Sequence, residues 1–439
     1  MPDQTIVPAD ELHVWVEHDQ QAIYLHYKID KNFGGTLKIR TPLSVQNAEE
    51  QLVYLFGTCG AIFLAQLCLA GQIYLNFPSS QDLIDTLSPT IQSLYAVRAY
   101  RDGILPMPKP VFIISPLSNG KKISYPNNHL PLISQRAVTM WSGGLDSTLS
   151  MILLSRNNYQ AIPLHVAYTN IDAAESELQA VKMLSVALET PFETVEITFE
   201  QFLDIAASYS KYARGYPDVN SVPHGRELIL LPVALMYALR CEASNVCFGF
   251  ENSTWTEQFS FDGQQYHRYD TQSESGNLNL QAMIHKFVDS RISLFSPVAP
   301  ITEYRKFKIM VTNFPELAQK ASFCFWGQSC GLCNKCAMYY LFQRSLGLEV
   351  IQFKHNPLLG PAPFIKQAMQ NWDKPTSRES NFALAQIVAN NDVRIGEESL
   401  AEYKRSIFPQ IQPVLETWRS SLMATHPAAL LPASFTIPF

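Results

Sequence analysis

Seven consecutive residues, Ser142-Gly143-Gly144-Leu145-Asp146-Ser147-Thr148, carry the densest potential chemistry in this chain. The apolar run Ala137-Val138-Thr139-Met140-Trp141 leads into them, and a helix-period segment at 149–154 follows. The pattern reads as a buried strand, a tight glycine turn and a helix. Such a turn aims backbone N–H groups and the positive end of a helix dipole at one point, which suits a phosphate. Gly143 and Gly144 let the backbone come close to an anion. Ser142, Ser147 and Thr148 add hydroxyl donors, and Asp146 is a candidate magnesium ligand. The segment is not a Walker A loop, because no lysine follows at the required spacing, and it is not G-x-G-x-x-G.

A second cluster lies downstream. Four of the eight cysteines fall at Cys324, Cys330, Cys333 and Cys336. The last three form two overlapping C-x-x-C steps around Gly331. Four thiolates so grouped fit tetrahedral zinc, and Phe323, Phe325 and Trp326 are placed to cover it. An iron–sulfur cluster needs the same four ligands. A catalytic thiol pair is a third reading, and a disulfide a fourth. Ligand count and spacing favour structural zinc.

The glycine turn matches the SGGxDS signature of PP-loop ATP pyrophosphatases, which split ATP into AMP and pyrophosphate. SGGxDS followed some 180 residues later by C…CGxCxxC resembles the QueC family of 7-cyano-7-deazaguanine synthases, over about residues 135–345. The resemblance implies a Rossmann-type α/β domain with a zinc knot near its end. It implies ATP-driven activation of 7-carboxy-7-deazaguanine, with Ser142, Gly143, Gly144, Leu145, Asp146, Ser147 and Thr148 around the pyrophosphate end of ATP and Asp146 on magnesium. The family's V-P-G-R-N pattern corresponds to Val222-Pro223-His224-Gly225-Arg226-Glu227, which places Gly225 at the cofactor and Arg226 on a phosphate or carboxylate. The strand-end G-x-x-E pattern, shortened by one residue, gives Gly249 and Glu251. The lysine-bearing helix gives Lys306 on the ATP phosphates.

The chain also departs from the family. His224 is an extra residue and Glu227 replaces an asparagine. The first Cys-to-Cys gap is short. The family's S-G-Y-P-D-C-R substrate segment is replaced by residues 260–270, where Asp270 is the remaining candidate for hydrogen bonding a deazaguanine. ATP chemistry therefore carries over better than the identity of the acceptor. QueC-like proteins with added terminal regions, such as the QatC-type proteins of bacterial anti-phage systems, are similar to this chain. That resemblance implies a partner protein as acceptor, whereas a housekeeping nitrile synthase would use ammonia. Homodimers are common among relatives, though added regions could block that interface.

Elements must position these residues. Between 135 and 320, strands are expected at 137–141, 162–168, 192–198 and 245–250, and helices at 147–157, 172–189, 200–212 and 226–243. The alternation implies a parallel, doubly wound sheet with ligands at the carboxyl ends of the strands. His165 lies within a strand and reads as a core histidine. Residues 1–130 read as an α+β domain. Its alternating strands lie near 12–16, 23–27 and 37–39, followed by an apolar helix, a short strand at 72–77, a helix at 83–100 and a strand at 109–114, with a linker at 118–130. Residues 346–439 read as a mainly helical extension, with Pro409 and Pro413 interrupting a terminal helix pair.

Bulk properties set bounds. The chain has 439 residues, of which 47% are hydrophobic and 16% charged, and a net charge of −6. This suits a globular protein of two or three domains and argues against a broad nucleic-acid surface. The acidic, polar N-terminus is not a signal peptide, and metal-ligating cysteines fit a reducing cytoplasm. Residues 52–75 are apolar enough to span a bilayer, but Gln66, Asn76 and the lack of flanking basic residues favour a buried helix and strand. Two other functions stay open. A PP-loop tRNA sulfur transferase would need two catalytic thiols and a basic surface. A non-catalytic nucleotide sensor would not need the intact SGGLDST segment.

Overall fold

The computed structural model describes residues 7–31, 33–42, 50–114, 131–169, 173–200, 205, 209, 225–252, 257–324, 329–359, 363–374 and 377–439. The expected linker at 118–130 and most of the expected helix at 200–212 lie outside the described residues.

The N-terminal third runs β1 (Glu11–His18), β2 (Ala22–Ile29), β3 (Phe33–Arg40), α1 (Glu50–Cys68), β4 (Gln72–Leu75), α2 (Gln81–Asp102) and β5 (Val111–Ile114). The middle runs β6 (Ile133–Met140), α3 (Leu145–Arg156), β7 (Gln160–Tyr168), α4 (Ala173–Ala187), β8 (Glu193–Phe199), α5 (Glu227–Arg240) and β9 (Ala243–Cys247). A hairpin of β10 (Gln258–Phe261) and β11 (Gln264–His267), then α6 (Glu274–Phe287) and β12 (Ser293–Phe295), complete the sheet-forming part. Helices α7 (Glu303–Asn313), α8 (Pro315–Lys320) and α9 (Asn334–Ser345) follow. The C-terminal helices are α10 (Pro363–Gln370), α11 (Arg378–Ala389), α12 (Glu398–Ser406), α13 (Phe408–Ile411) and α14 (Leu415–Met423).

One mixed sheet of ten strands has the order β12-β9-β6-β7-β8-β3-β2-β1-β4-β5. Strands β12, β9, β6, β7 and β8 are mutually parallel, which gives the Rossmann-like α/β fold expected. The strand order turns back at β6, with β7 on one side and β9 on the other. The carboxyl end of β6 is therefore the switch point of the sheet, where crevices open. The last four residues of β6 are buried because helices cover both faces there, so the run is apolar rather than alternating.

The N-terminal strands do not form a separate sheet. Strand β3 pairs antiparallel with β8 from Leu37↔Phe199 to Arg40↔Glu196, so β1–β5 extend the Rossmann-like half. Helix α1 lies on the same face as α5 and packs against it. It is long and apolar enough to cross a membrane by composition, yet 89% of its most apolar window is buried in the protein. On the opposite face, α3, α7, α9 and the C-terminal helices share a second apolar core.

Candidate functional site

The glycine turn sits where the sequence places it, between the end of β6 and the start of α3. Gly143 has φ +76°. A Cβ there would come 3.0 Å from the Ala180 Cβ and 3.2 Å from the Glu177 carbonyl oxygen on α4. Its carbonyl accepts from Ser322 N–H at 2.8 Å, which ties the turn to the segment before the cysteines. Ser142 is exposed and its Oγ lies 3.2 Å from Ser147 Oγ. Gly144 and Asp146 are half-buried, whereas Leu145, Ser147 and Thr148 are buried. Thr148 accepts from Trp141 Nε1 at 3.4 Å and so supports the turn from below. His165 is a core histidine: its Nδ1 meets the Trp141 carbonyl at 3.0 Å, and burial pushes its pKa down.

Gly249 follows β9 and lies directly under the turn. A Cβ there would be 3.0 Å from both the Asp146 carbonyl carbon and the Ser147 nitrogen. Only a residue without a side chain lets these backbones meet. Glu251 is buried two residues on.

Lys306, on the first turn of α7, has no exposed surface. Its ammonium pairs with Asp146 Oδ1, lies 2.7 Å from Glu303 Oε2, and donates to Tyr339 OH at 3.4 Å. Glu303 Oε1 accepts from Tyr339 OH at 2.6 Å and from Lys335 Nζ at 3.1 Å. Burial acts against both charges, but Asp146 and Glu303 outweigh it and raise the Lys306 pKa. Lys306 and Lys335 likewise overcome burial and hold the Glu303 carboxyl well below its usual range. A buried lysine so paired is a fixed positive charge beside the turn.

Arg226 is a second cation, near Tyr168 at the end of β7 and Glu177 of α4. It precedes α5, is half-exposed, and lies 3.5 Å from Glu227 Oε1. Burial opposes its charge, while Glu227, Tyr168 and Glu177 favour it. Gly225, with φ +86°, packs against Leu94 of α2. Val222, Pro223 and His224 lie outside the described residues. Lys306 thus meets the turn directly through Asp146, whereas Arg226 is linked to it through Glu177 of α4, whose carbonyl oxygen abuts Gly143. The Glu227 carboxylate accepts from Thr271 Oγ1 at 2.6 Å and from Gln272 Nε2 at 2.7 Å, which ties the residues just after the replaced segment to α5.

Most of residues 260–270 lies in the β10–β11 hairpin (258–267), whose Phe259 ring lies 4.9 Å from that of Tyr100 on α2. Asp270 is buried beneath the same helix. Burial, against the Ser93 and Thr90 hydroxyls, pushes its carboxyl up to about 7.

The four cysteine sulfurs lie within 4.8 Å of one another, and all four residues are buried. A tetrahedral Zn–S site has sulfurs about 3.8 Å apart, so the cluster fits zinc. Backbone N–H groups of Cys330, Leu332, Cys333 and Cys336 donate to the Cys324, Cys330, Cys330 and Cys333 sulfurs at 3.3–3.5 Å. The Cys324 and Cys333 thiols, with burial, push the Cys336 thiol far up, so the sulfurs need a cation to ionise together. Gly331 has φ +77°, and a Cβ there would fall 2.0 Å from the His355 oxygen. Phe323 and Phe353 cover the sulfurs, while Phe325 and Trp326 lie outside the described residues.

Sequence reasoning missed Glu303, Tyr339 and Lys335. Glu303 stands three residues before Lys306, at the spacing of helix neighbours. Lys335 lies inside the cysteine segment. Both were findable; Tyr339 carried no signal.

Residues 136–341 match the family model described as "Queuosine biosynthesis protein QueC". A relative, "7-cyano-7-deazaguanine synthase 1" of Desulfitobacterium hafniense (strain Y51), is 25% identical over 130 residues. That match covers 28% of this chain and 58% of the relative. The glycine turn, Gly249, Lys306 and the four cysteines all fall inside the matched segment. Over that segment the chain is similar to the QueC family, and it spans little more than half the length of the curated relative it matches.

Proposed function

We propose that this chain is an ATP-dependent, AMP- and pyrophosphate-forming ligase. It adenylates 7-carboxy-7-deazaguanine or a similar carboxylate and passes the acyl group to an amine on a partner protein, within an anti-phage defence system. The observation that carries this reading is the glycine turn at the switch point of the sheet, with the buried Lys306 ammonium paired to its Asp146.

A carboxylate resists amine attack because its oxygen is a poor leaving group. In the proposed reaction a carboxylate oxygen attacks the α-phosphorus of ATP. The bond from that phosphorus to the bridging oxygen breaks, and pyrophosphate leaves. The amine nitrogen then attacks the acyl carbon, AMP departs, and the nitrogen loses a proton. Ser142, Gly143, Gly144, Ser147 and the α3 N-terminus would bind the pyrophosphate end. Lys306 and Arg226 would offset its charge. Asp146 would hold magnesium, which supplies further charge neutralisation when bound.

Replacement of the substrate segment, together with added regions at both ends, favours a partner protein as acceptor. The relative's printed name favours the other outcome, in which ammonia attacks the same anhydride on the way to a nitrile. A sulfur transferase is disfavoured, because all four clustered thiols converge on one point. Cys59 and Cys68 are fully buried with thiols pushed up to about 12.

The test is mass spectrometry of small molecules and intact proteins after incubation with ATP, magnesium and 7-carboxy-7-deazaguanine. One set receives ammonia and another the proteins encoded beside this one, with Asp146→Ala as control. A partner that gains the deazaguanine acyl mass supports the proposal. Nitrile would replace it with the ammonia reading, and absence of AMP and pyrophosphate in every set would sink both.

A further inference from the structure

Residues 346–439 lie beyond the family match, yet they hold the start of α7 from several directions. Thr302 Oγ1, at the helix cap, donates to the Leu422 carbonyl at 2.7 Å. The Arg305 guanidinium donates to Thr425 Oγ1 and to the Phe439 carbonyl, each at 2.7 Å. His426 N–H donates to the Pro300 carbonyl at 2.9 Å. The Tyr304 ring meets Phe382 of α11 edge-on at 5.0 Å. Most directly, Tyr304 N–H donates to Glu379 Oε2, from the first turn of α11. The residues that lead into Lys306, from Pro300 to Arg305, are thus bonded to the C-terminal region.

Tyr304 N–H is one of the amides that no helical carbonyl can satisfy at the start of α7, so Glu379 acts as a cap supplied from outside the helix. We propose that the C-terminal region is a working part of the Lys306–Asp146 site, with Glu379 as a positioning residue that caps α7 and thereby holds the Lys306 ammonium on Asp146. The proposal rests on the nucleotide reading of that site given above.

Glu379 also faces Glu251 and Glu303. Burial first, then these two carboxylates, pushes its carboxyl up to about 8, so near neutral pH it serves as a hydrogen-bond acceptor rather than a counter-ion. An amide oxygen can do the same work.

The experiment compares full-length Glu379→Ala and Glu379→Gln with the unmodified chain. Thermal melting reports folding, and titration calorimetry with magnesium and α,β-methylene-ATP reports binding. Glu379→Ala is expected to weaken nucleotide binding by about tenfold, whereas Glu379→Gln stays within about threefold. In an Asp146→Asn background the alanine effect is expected to vanish, because Glu379 acts through the pair that Asp146 completes. Should the alanine variant not fold, Glu379→Met keeps the volume, removes only the acceptor, and carries the same expectation. A folded Ala or Met variant that binds as well as the unmodified chain overturns the proposal. So does a loss that simply adds to that of Asp146→Asn. Failure of the unmodified chain to bind the nucleotide is a separate result; it overturns the nucleotide reading and this inference with it.

Discussion

The Lys306 ammonium closes an ion pair with the Asp146 carboxylate across 160 residues of chain, with no exposed surface of its own. The same ammonium reaches Glu303 Oε2 at 2.7 Å, so one cation serves two carboxylates. Lys306→Ala leaves both acids without their shared partner. The expected cost is about 3–5 kcal/mol of stability, since an uncompensated buried charge is more harmful than a missing pair. Pyrophosphate release in the folded fraction is expected to fall by about a hundredfold or more. Denaturant unfolding and a pyrophosphate assay at reduced temperature check the two effects separately. A stable, fully active variant would count against the charge role.

Gly249→Ala tests the close contact under the turn. The added Cβ would sit 3.0 Å from the Asp146 carbonyl carbon and the Ser147 nitrogen, both backbone atoms that cannot swing aside. The turn must then move toward the crevice. The expected result is a modest stability loss of about 1–3 kcal/mol, and a rise of about tenfold or more in KM for ATP. Steady-state kinetics with ATP varied measures this. Unchanged KM in the folded variant would show that the contact is only packing.

The cysteine cluster is expected to hold one zinc per chain. Elemental analysis of purified protein checks the metal and its stoichiometry, and a visible charge-transfer band would instead indicate iron and sulfur. Removal by a strong chelator, or Cys336→Ser, is expected to lower the melting temperature by about 10 °C. Gly331→Ala is expected to do the same, because its Cβ would collide with the His355 oxygen at 2.0 Å. Zinc retention should weaken as pH falls, since the ligands are thiolates.

Asp270 predicts a pH dependence of stability. Its carboxyl rises from 3.8 to about 7 on folding, with burial as the main cause. The folded protein therefore keeps a proton that the unfolded chain has lost. This contribution is full below 3.8 and is lost as pH rises to about 7. Asp270→Asn removes the titration. It is expected to flatten stability across that window and to raise it at pH 8 by at most about 4 kcal/mol. Urea unfolding at pH 5 and pH 8 checks this; an unaltered pH slope in the variant would refute it.

Local pattern made much of the fold legible. The apolar run 137–141 and the glycine turn marked the end of β6 and the start of α3, because a buried parallel strand and a tight turn each leave a short-range signature. Strands β7, β8 and β9 and helices α4 and α5 fell near their expected positions for the same reason. The interrupted terminal helices followed from Pro409 and Pro413, which cannot donate within a helix. Residues 1–130 read as a domain apart, yet β3 pairs with β8 in one continuous sheet. Strand pairing between distant segments depends on exposed edges meeting, which no local window records.

By itself, the sequence determined the chemical groups: the SGGLDS turn, four sulfurs at metal-ligand spacing, and a lysine helix before them. Tertiary structure alone decided which of these groups act together. It placed Lys306 on Asp146, Gly249 beneath the turn, and Arg226 beside Tyr168 and Glu177. It also brought Glu379, from outside the family match, to the cap of the lysine helix. The physical reason is range. Turn geometry and metal-ligand spacing are set within a few bonds, whereas charge pairing and helix capping across a core are set by packing of segments far apart in the chain.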